Sequence, residues 1–162
     1  MPSRVPELHR VGVEEHEETI MATESEASAT WEGTIERGSG TMSPAHAEKI
    51  PFSLPTRFEG ERGSNPEELL GAAFAGCFSM ALSKELGEAG ATPNRIATSA
   101  QVTMATDGGF EITAIALRTE VDASGVDQAK LDEVAQATKK GCPVGKALAS
   151  VERLTVEAKL AA

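Results

Sequence analysis

The sequence predicts an α+β fold in which one long apolar helix lies among antiparallel sheets. Three observations support this prediction: alternating strand patterns near both ends of the chain, one continuous helical pattern in its middle, and no repeat longer than a hairpin. The chain has 162 residues, and 40% of them are hydrophobic. It is therefore long enough for one domain with a proper core.

The first strands are predicted to form a meander. Apolar and polar residues alternate over 29–37, which indicates a half-buried strand. A turn at 38–40 would return the chain into short antiparallel strands at 41–43 and 49–54. The following segment, 57–63, is rich in charge and glycine, and we expect it to be a polar loop.

A long helix is predicted to begin after that loop. Asn65 can cap it, Pro66 suits its first position, and Glu68 stands where a capping box places an acid. Gly90 supplies a left-handed stop. Between residues 69 and 82 the helix is apolar nearly all round, so we expect it to be central and buried for most of its length.

The second half of the chain is predicted to contain a hairpin, two helices and a closing strand. After a turn at 92–94, strands at 96–105 and 110–121 are joined by an Asp-Gly-Gly turn, and the second strand carries apolar residues on both faces, as a central strand does. An amphipathic helix is expected at 126–140. A short helix opened by Cys142 and Pro143 then precedes a strand at 151–160, which completes a single domain over residues 28–162.

The N-terminal segment has a different composition from the predicted domain. Residues 1–30 contain two arginines and seven glutamates, so they carry half of the chain's net charge of -10. They lack the cationic start and apolar run of a secretory signal and the Arg-rich, acid-poor composition of a transit peptide. We expect residues 1–27 to be a disordered or optional extension, and Met21 is a candidate alternative start.

The net charge and the hydropathy of the chain argue against two classes of partner, nucleic acid and membrane. A chain with a net charge of -10 and a pI near 4.8 has no general attraction to nucleic acid or anionic lipid. No apolar run reaches the ~20 residues that span a bilayer. We therefore expect a cytoplasmic protein with no nucleic-acid partner and no membrane partner.

Metal and cofactor signatures are missing from the sequence. The three histidines, His9, His16 and His46, are distant from both cysteines, and no Cys-x-x-Cys spacing occurs. No glycine-rich segment leads from a strand into a helix as a phosphate loop does. The sequence predicts no metal site and no bound cofactor.

The two cysteines, Cys77 and Cys142, admit two interpretations. A lone cysteine on an apolar helix is most often a small core residue. A helix N-terminus, however, favours a thiolate, which applies to Cys142, and a cytosolic chain tolerates a transient catalytic disulfide. The residues alone leave both interpretations open.

Four separated motifs make a specific combination between residue 28 and the C-terminus. They are Trp31-Glu32-Gly33, the run from Thr56 to Ala73 with Asn-Pro-Glu-Glu-Leu at its centre, Cys77 to Leu82, and Gly-Cys-Pro-Val at 141–144. Together they resemble the OsmC/Ohr family of organic hydroperoxide reductases, and most closely its osmotically inducible protein OsmC branch.

The resemblance implies an OsmC-like fold, an intertwined homodimer with its sites at the subunit interface, and a thiol peroxidase activity on organic hydroperoxides. It assigns Cys77 as the peroxidatic cysteine, Cys142 as the resolving cysteine, and Arg57 with Glu67 as the pair that activates Cys77. The sulfenic acid formed on Cys77 would condense with Cys142 to a disulfide. An external dithiol, of lipoyl type in the Ohr branch, would then reduce it.

Two physical arguments refine these expectations. Glu67 and Cys77 are ten residues apart on one helix, hence roughly 15 Å along its axis, so they cannot touch. Either Arg57 spans part of that gap, or Arg57 and Glu67 act on Cys77 of the partner subunit, which we favour. The surrounding apolar residues suit a bulky alkyl or aryl hydroperoxide: Phe58, Leu70, Phe74, Phe78 and Met80.

A non-catalytic function is the alternative. In that hypothesis the chain forms a stress-related binding dimer of the same fold, and its cysteines are inert and buried. Both hypotheses predict the same fold, so they differ only in the chemistry of Cys77 and Cys142.

Overall fold

The computed structural model describes residues 24–162, and most of the extension predicted for residues 1–27 lies outside this part. The predicted α+β class is confirmed. The described elements, in chain order, are β1 (Ala27–Glu32), β2 (Ser39–Pro44), β3 (Ile50–Ser53), α1 (Leu54–Phe58), α2 (Pro66–Glu88), β4 (Thr92–Ala105), β5 (Glu111–Ser124), α3 (Gln128–Gly141), α4 (Pro143–Ala147) and β6 (Arg153–Leu160).

The first sheet is the predicted antiparallel meander, in the order β1-β2-β3. Its first strand is shorter than predicted, because Gly33 adopts a φ of 93° that only glycine accepts readily. The chain therefore turns at Gly33, and the N–H of Gly38 donates to the carbonyl of Thr34 at 2.7 Å to close the turn. Ile35, an apolar residue of the alternating pattern at 29–37, lies in this turn and is 57% exposed.

This first sheet has no buried face within one chain. Every residue of β1, β2 and β3 is exposed or only half-buried, although the tilted rings of Trp31 and Phe52 pack with their centroids 5.4 Å apart. The sheet makes no extensive contact with α2 or with the other sheet. A three-stranded sheet needs a covered apolar face to be stable. In the single chain, no other described element covers a face of this sheet.

Helix α2 begins and ends as the sequence predicts. The side chain of Asn65 accepts a hydrogen bond from the N–H of Glu68 at 2.8 Å, which satisfies one of the free donors of the first turn. The Glu68 carboxylate accepts from the hydroxyl of Ser64 at 2.8 Å. After the helix, Gly90 takes a φ of 85° and reverses the chain.

The burial of α2 is one-sided, so the prediction that it is buried for most of its length is wrong for the single chain. Its inner face consists of fully buried residues, Phe74, Phe78, Leu82 and Leu86. Its outer face, which includes Ala73, Gly76 and Met80, is exposed, and Met80 is 78% exposed. By length and composition α2 resembles a membrane span, but its inner face forms the core of a soluble fold.

The second sheet has the order β4-β5-β6, and β5 is its central strand, as predicted. Strand β4 begins at Thr92, because the predicted turn at 92–94 instead pairs with the end of β5. A register shift between Pro93 and Arg95 accommodates the proline. Strand β6 runs parallel to β5, so this sheet is mixed rather than antiparallel, since α3 and α4 return the chain to the same end.

The core lies between α2, α3 and one face of the second sheet. Ile115, Leu117 and Val121 of β5 contribute the sheet side, and Leu131 of α3 contributes the helix side; all four are buried. Helix α3 begins at Gln128 because the Asp127 side chain caps it through the N–H of Lys130 at 2.8 Å. This core fixes α2, which carries Cys77.

Candidate active site

Arg57 lies in the last turn of the short helix α1, not in a polar loop as predicted. This helix forms because Ser53 and Thr56 make a reciprocal cap: each backbone N–H donates to the other side chain, at 3.2 and 2.9 Å. Pro55 sits within the first two helical positions. The Ser-x-Pro-Thr pattern was the signal that could have revealed the helix in the sequence.

Arg57 and Glu67 form a two-point ion pair within one chain. The Nε atom of Arg57 donates to Oε2 of Glu67 at 3.0 Å, and Nη2 donates to Oε1. Glu67 lies in the first turn of α2 and its side chain is 14% exposed. Such a planar, parallel pair fixes the orientation of the guanidinium as well as its position.

The pKa of Glu67 is held below its ordinary value. Burial of the carboxyl raises the pKa, but hydrogen bonds from Arg57 and from the backbone N–H of Glu67, together with the charge of Arg57, lower it by more. Glu67 is therefore ionised at neutral pH, and the pair consists of two full charges.

Arg57 has further neighbours beside Glu67. Its Nη2 also donates to the Sδ atom of Met104 at 3.5 Å, and its guanidinium carbon lies 5.5 Å from the ring centre of Phe58. Phe58 in turn packs against Phe110, which follows the β4–β5 turn, with their rings tilted by 37° and their centroids 6.0 Å apart. Met104 and Phe110 are not identifiable as neighbours of Arg57 from the sequence, because no local pattern places β4 beside α1.

A pocket of about 400 Å³ opens beside this pair. Its walls combine the two charged residues with apolar side chains from α1 and β4. The lining residues are Arg57, Phe58, Asn65, Glu67, Glu68, Gly71, Ala100, Val102, Met104 and Thr106. Among the predicted apolar substrate contacts, Phe58 belongs to this pocket, whereas Phe74 and Phe78 are fully buried core residues and cannot line it.

Cys77 and Cys142 are neighbouring free thiols. Cys77 is half-buried in the middle of α2, and Cys142 is 2% exposed at the N-cap of α4. The backbone N–H of Gly145 donates to Sγ of Cys142 at 3.3 Å. The fold therefore brings together two cysteines that are 65 positions apart in the sequence.

The surroundings of Cys142 raise its pKa. Burial is the largest cause and the neighbouring Cys77 acts in the same direction, whereas the backbone N–H groups of Gly145 and Cys142 oppose them only in part. Cys142 is therefore a protonated thiol at neutral pH. It differs in this respect from a thiolate nucleophile.

The two groups of predicted site residues remain separate within one chain. Neither cysteine lines the Arg57 pocket, because Glu67 is at the start of α2 and Cys77 is ten residues later. Within the part of the chain that the structure describes, no group of three or more His, Cys, Asp or Glu side chains could hold a metal ion.

Comparisons with known proteins identify the family of this chain. Residues 58–157 match the family described as OsmC-like protein. The chain is 50% identical over 131 residues to peroxiredoxin OsmC of Escherichia coli, covering 79% of this chain and 92% of that protein.

Solved structures share the fold. An OsmC-like protein from Mycoplasma pneumoniae superposes with a TM-score of 0.70 at 19% identity, covering 88% of this chain and all (100%) of that one. The organic hydroperoxide resistance protein OhrB of Bacillus subtilis has a TM-score of 0.60 at 26% identity, covering 84% and 98%. The predicted resemblance is thus confirmed, and the chain belongs to the OsmC-like family, in the OsmC branch of the wider OsmC/Ohr group.

Proposed function

We propose that this protein is a peroxidase that reduces organic hydroperoxides to alcohols through Cys77 and Cys142. The observation that carries the proposal is the pair of neighbouring free thiols in a chain 50% identical to a peroxiredoxin. An attacking cysteine needs access to the hydroperoxide and a resolving cysteine needs to lie close to it, and the half-buried Cys77 beside the buried Cys142 is compatible with both.

In the first step, the thiolate of Cys77 attacks the outer oxygen of the hydroperoxide. The O–O bond breaks, a sulfenic acid forms on Cys77, and the departing alkoxide takes a proton to become the alcohol. Arg57 favours this step in two ways. Its charge stabilises the thiolate, and its N–H groups stabilise the negative charge that develops on the departing oxygen.

In the second step, the sulfur of Cys142 attacks the sulfenic sulfur of Cys77. A disulfide forms, the Cys142 proton is lost, and the hydroxyl group leaves as water. An external dithiol, which we expect to be of lipoyl type, then reduces the disulfide by two successive exchanges and is itself oxidised to a disulfide. Because Cys142 is protonated at rest, it does not compete with Cys77 for the hydroperoxide.

The complete site would belong to a homodimer. The first sheet and the outer face of α2 are both uncovered in the single chain, and a second copy can cover both. Such a dimer would set Arg57 and Glu67 of one subunit beside Cys77 of the other. We expect this dimer to be cytoplasmic, with residues 28–162 as the catalytic domain and residues 1–20 dispensable for folding and catalysis.

The apolar residues that line the pocket beside Arg57 favour the binding of bulky, apolar substrates. Phe58, Val102 and Met104 line it, and contact with these side chains favours alkyl or aryl groups over hydrogen peroxide, which has no apolar part. We therefore expect cumene hydroperoxide and lipid-like hydroperoxides to be better substrates than hydrogen peroxide.

Thiol titration separates this function from the alternative of a non-catalytic binding dimer. The reduced protein is treated with one equivalent of cumene hydroperoxide, and its free thiols are counted before and after. Loss of both thiols in the chain, with release of cumyl alcohol, supports the peroxidase. Two unchanged thiols, together with unconsumed hydroperoxide, would support the binding dimer.

A further inference from the structure

Met104 is the one reactive side chain of the Arg57 pocket that the proposed mechanism does not use. It lies near the end of β4, half-buried, and its Sδ accepts an N–H of Arg57 at 3.5 Å. Met104 also lines the pocket of about 400 Å³ that Arg57 and Glu67 share. A hydroperoxide held by Arg57 would therefore lie beside a thioether.

We propose that Met104 is an oxidation site, at which a hydroperoxide held by Arg57 transfers one oxygen atom to Sδ. The inference rests on the proposed function, because it needs Arg57 to bind the hydroperoxide. It goes beyond that function by assigning a second acceptor of the peroxide oxygen in the same pocket.

The hydrogen bonds of Arg57 leave room for such a substrate. Nε and one N–H of Nη2 are used by Glu67, and the other N–H of Nη2 points to Met104. Among the described residues, Nη1 has no hydrogen-bond partner. Its N–H groups are free for a peroxide oxygen, and Met104 is held on the neighbouring nitrogen of the same guanidinium.

The chemistry of the transfer balances without a further reagent. A lone pair of Sδ attacks the outer oxygen of the hydroperoxide, an S–O bond forms and the O–O bond breaks. The departing alkoxide takes the proton that the hydroperoxide carried, which gives an alcohol and methionine sulfoxide. The methionine loses two electrons and the hydroperoxide gains them. Arg57 stabilises the departing oxygen, as it would in the attack by Cys77.

Competition with Cys77 decides when Met104 reacts. A thiolate is a much stronger nucleophile than a thioether, so Cys77 consumes the hydroperoxide while it is reduced. When the dithiol reductant is exhausted, Cys77 is held in the disulfide. Met104 is then the nucleophile that remains beside the hydroperoxide in the pocket. Oxidation of Met104 is thus expected when peroxide exceeds the supply of reductant.

Oxidation would also alter Arg57. A sulfoxide oxygen is a much better acceptor than a thioether sulfur, so it would bind Nη2 more strongly and compete with Glu67 for the guanidinium. We expect the oxidised protein to reduce hydroperoxides more slowly. A methionine sulfoxide reductase should reverse the effect, since this lesion is repairable.

The first test measures where the oxygen goes. The Cys77→Ser protein is treated with cumene hydroperoxide in a solution that also contains Nα-acetylmethionine amide, and peptide mass spectrometry follows sulfoxide formation. Positioning beside Arg57 should make Met104 react roughly tenfold or more faster than the free compound. Met80, on the outer face of α2, is expected to react no faster than the free compound.

The matched control removes the guanidinium. In the Cys77→Ser, Arg57→Gln protein, oxidation of Met104 should fall to the rate of the free compound or below. If Met104 in the Cys77→Ser protein reacts no faster than the free compound, or if the Arg57→Gln change leaves an enhanced rate intact, the inference is wrong.

The second test measures the consequence for activity. Protein carrying both cysteines is exposed to excess cumene hydroperoxide without a dithiol, reduced, and assayed with and without treatment by methionine sulfoxide reductases. We expect exposure to slow hydroperoxide reduction by the protein with Met104, and we expect the reductases to restore the rate. In the Met104→Leu protein, the rate after exposure should stay near the rate of the same variant before exposure. A loss that the reductases do not restore would contradict the effect on Arg57.

The two proposals fail in different ways. If the unexposed protein reduces hydroperoxides through Cys77 but Met104 is not oxidised preferentially, only the Met104 inference fails. If the unexposed protein does not reduce hydroperoxides at all, the proposed function fails, whereas enhanced oxidation of Met104 in the Cys77→Ser protein would still support hydroperoxide binding at Arg57.

Discussion

The backbone N–H of Gly145 donates a hydrogen bond to Sγ of Cys142, with 3.3 Å between nitrogen and sulfur. This contact stabilises a thiolate, yet burial and the neighbouring Cys77 outweigh it and raise the pKa of Cys142. A raised pKa keeps the neutral thiol to higher pH than an unperturbed cysteine does. Cys142 is therefore a neutral thiol at neutral pH, and it must lose its proton to attack the sulfenic acid.

This relationship predicts how disulfide formation depends on pH. The attack by Cys142 needs its thiolate, so the rate of disulfide formation should rise as pH increases through and above the ordinary range of a cysteine pKa. Stopped-flow measurement after one equivalent of hydroperoxide would give this rate separately from the first attack. A rate of disulfide formation that is already maximal at neutral pH would contradict the raised pKa.

The two cysteines should divide the reaction between them. We expect Cys77→Ser to abolish hydroperoxide consumption, because the attacking thiolate is lost. Cys142→Ser should allow one attack and then stall, with the sulfenic acid on Cys77 trapped by dimedone or over-oxidised to sulfinic acid. Mass spectrometry of the two variants distinguishes these states. The roles would be reversed if Cys142→Ser lost the first attack and Cys77→Ser kept it.

Arg57 should be needed for the first attack. Replacing it with alanine removes the charge that favours the thiolate and the departing oxygen, and by analogy with other preorganised sites the rate should fall on the order of 100-fold. Arg57→Lys should restore activity only in part, since lysine cannot form the two-point pair with Glu67.

A matched control for Arg57 is present in the same segment. Arg62 is an exposed arginine of the α1–α2 loop, and Arg62→Ala removes the same charge from the chain without touching the Glu67 pair. We expect this variant to keep the unmodified rate. An equal loss of rate in Arg57→Ala and Arg62→Ala would mean that general charge, and not the pair, matters.

Some parts of the fold and of the site follow from local sequence patterns, and others do not. The start of α2 follows from Asn65 and Pro66, because capping is a local property of adjacent residues. The meander and the β4–β5 hairpin follow from alternation and turn residues for the same reason. The contact between Arg57 and Met104 does not, since the two residues are 47 positions apart and only tertiary packing brings α1 to β4.

The sequence predictions that the structure contradicts failed because they relied on local patterns alone. Strand β1 was predicted too long because an alternating pattern continues through Gly33, where the positive φ ends the strand. The parallel direction of β6 depends on how α3 and α4 cross the sheet, which residue patterns do not encode. The residue pattern indicates that α2 is apolar nearly all round. It does not indicate whether the same chain or a second copy covers that apolar surface.

A chain of hydroxyl groups should stabilise the packing of α2 on the second sheet. Ser79 donates to Thr98 at 2.8 Å, and Thr98 donates to the buried Thr119 at 2.9 Å. Thr119→Val keeps the shape of the side chain but leaves the Thr98 hydroxyl without its acceptor, so unfolding should become easier by about 1–3 kcal/mol. Chemical denaturation measures this change.

The control for that variant is Thr103→Val. Thr103 is an exposed threonine of β4, and its replacement should change the free energy of unfolding by less than about 0.5 kcal/mol. If the two variants unfold at the same denaturant concentration, the buried hydroxyl chain contributes nothing to stability.

The last prediction is that the active unit is a homodimer whose two sites each combine Arg57 and Glu67 of one subunit with Cys77 of the other. Mixing a Cys77→Ser chain with an Arg57→Ala, Glu67→Ala chain tests it, because each parent is impaired and a heterodimer would contain one complete site. Random exchange of subunits gives about half heterodimers, each with one of two sites working, so about a quarter of the unmodified activity should return. A dimer that recovers no activity would place all the site residues in one chain, and a fully active monomer in sedimentation would exclude the shared site altogether.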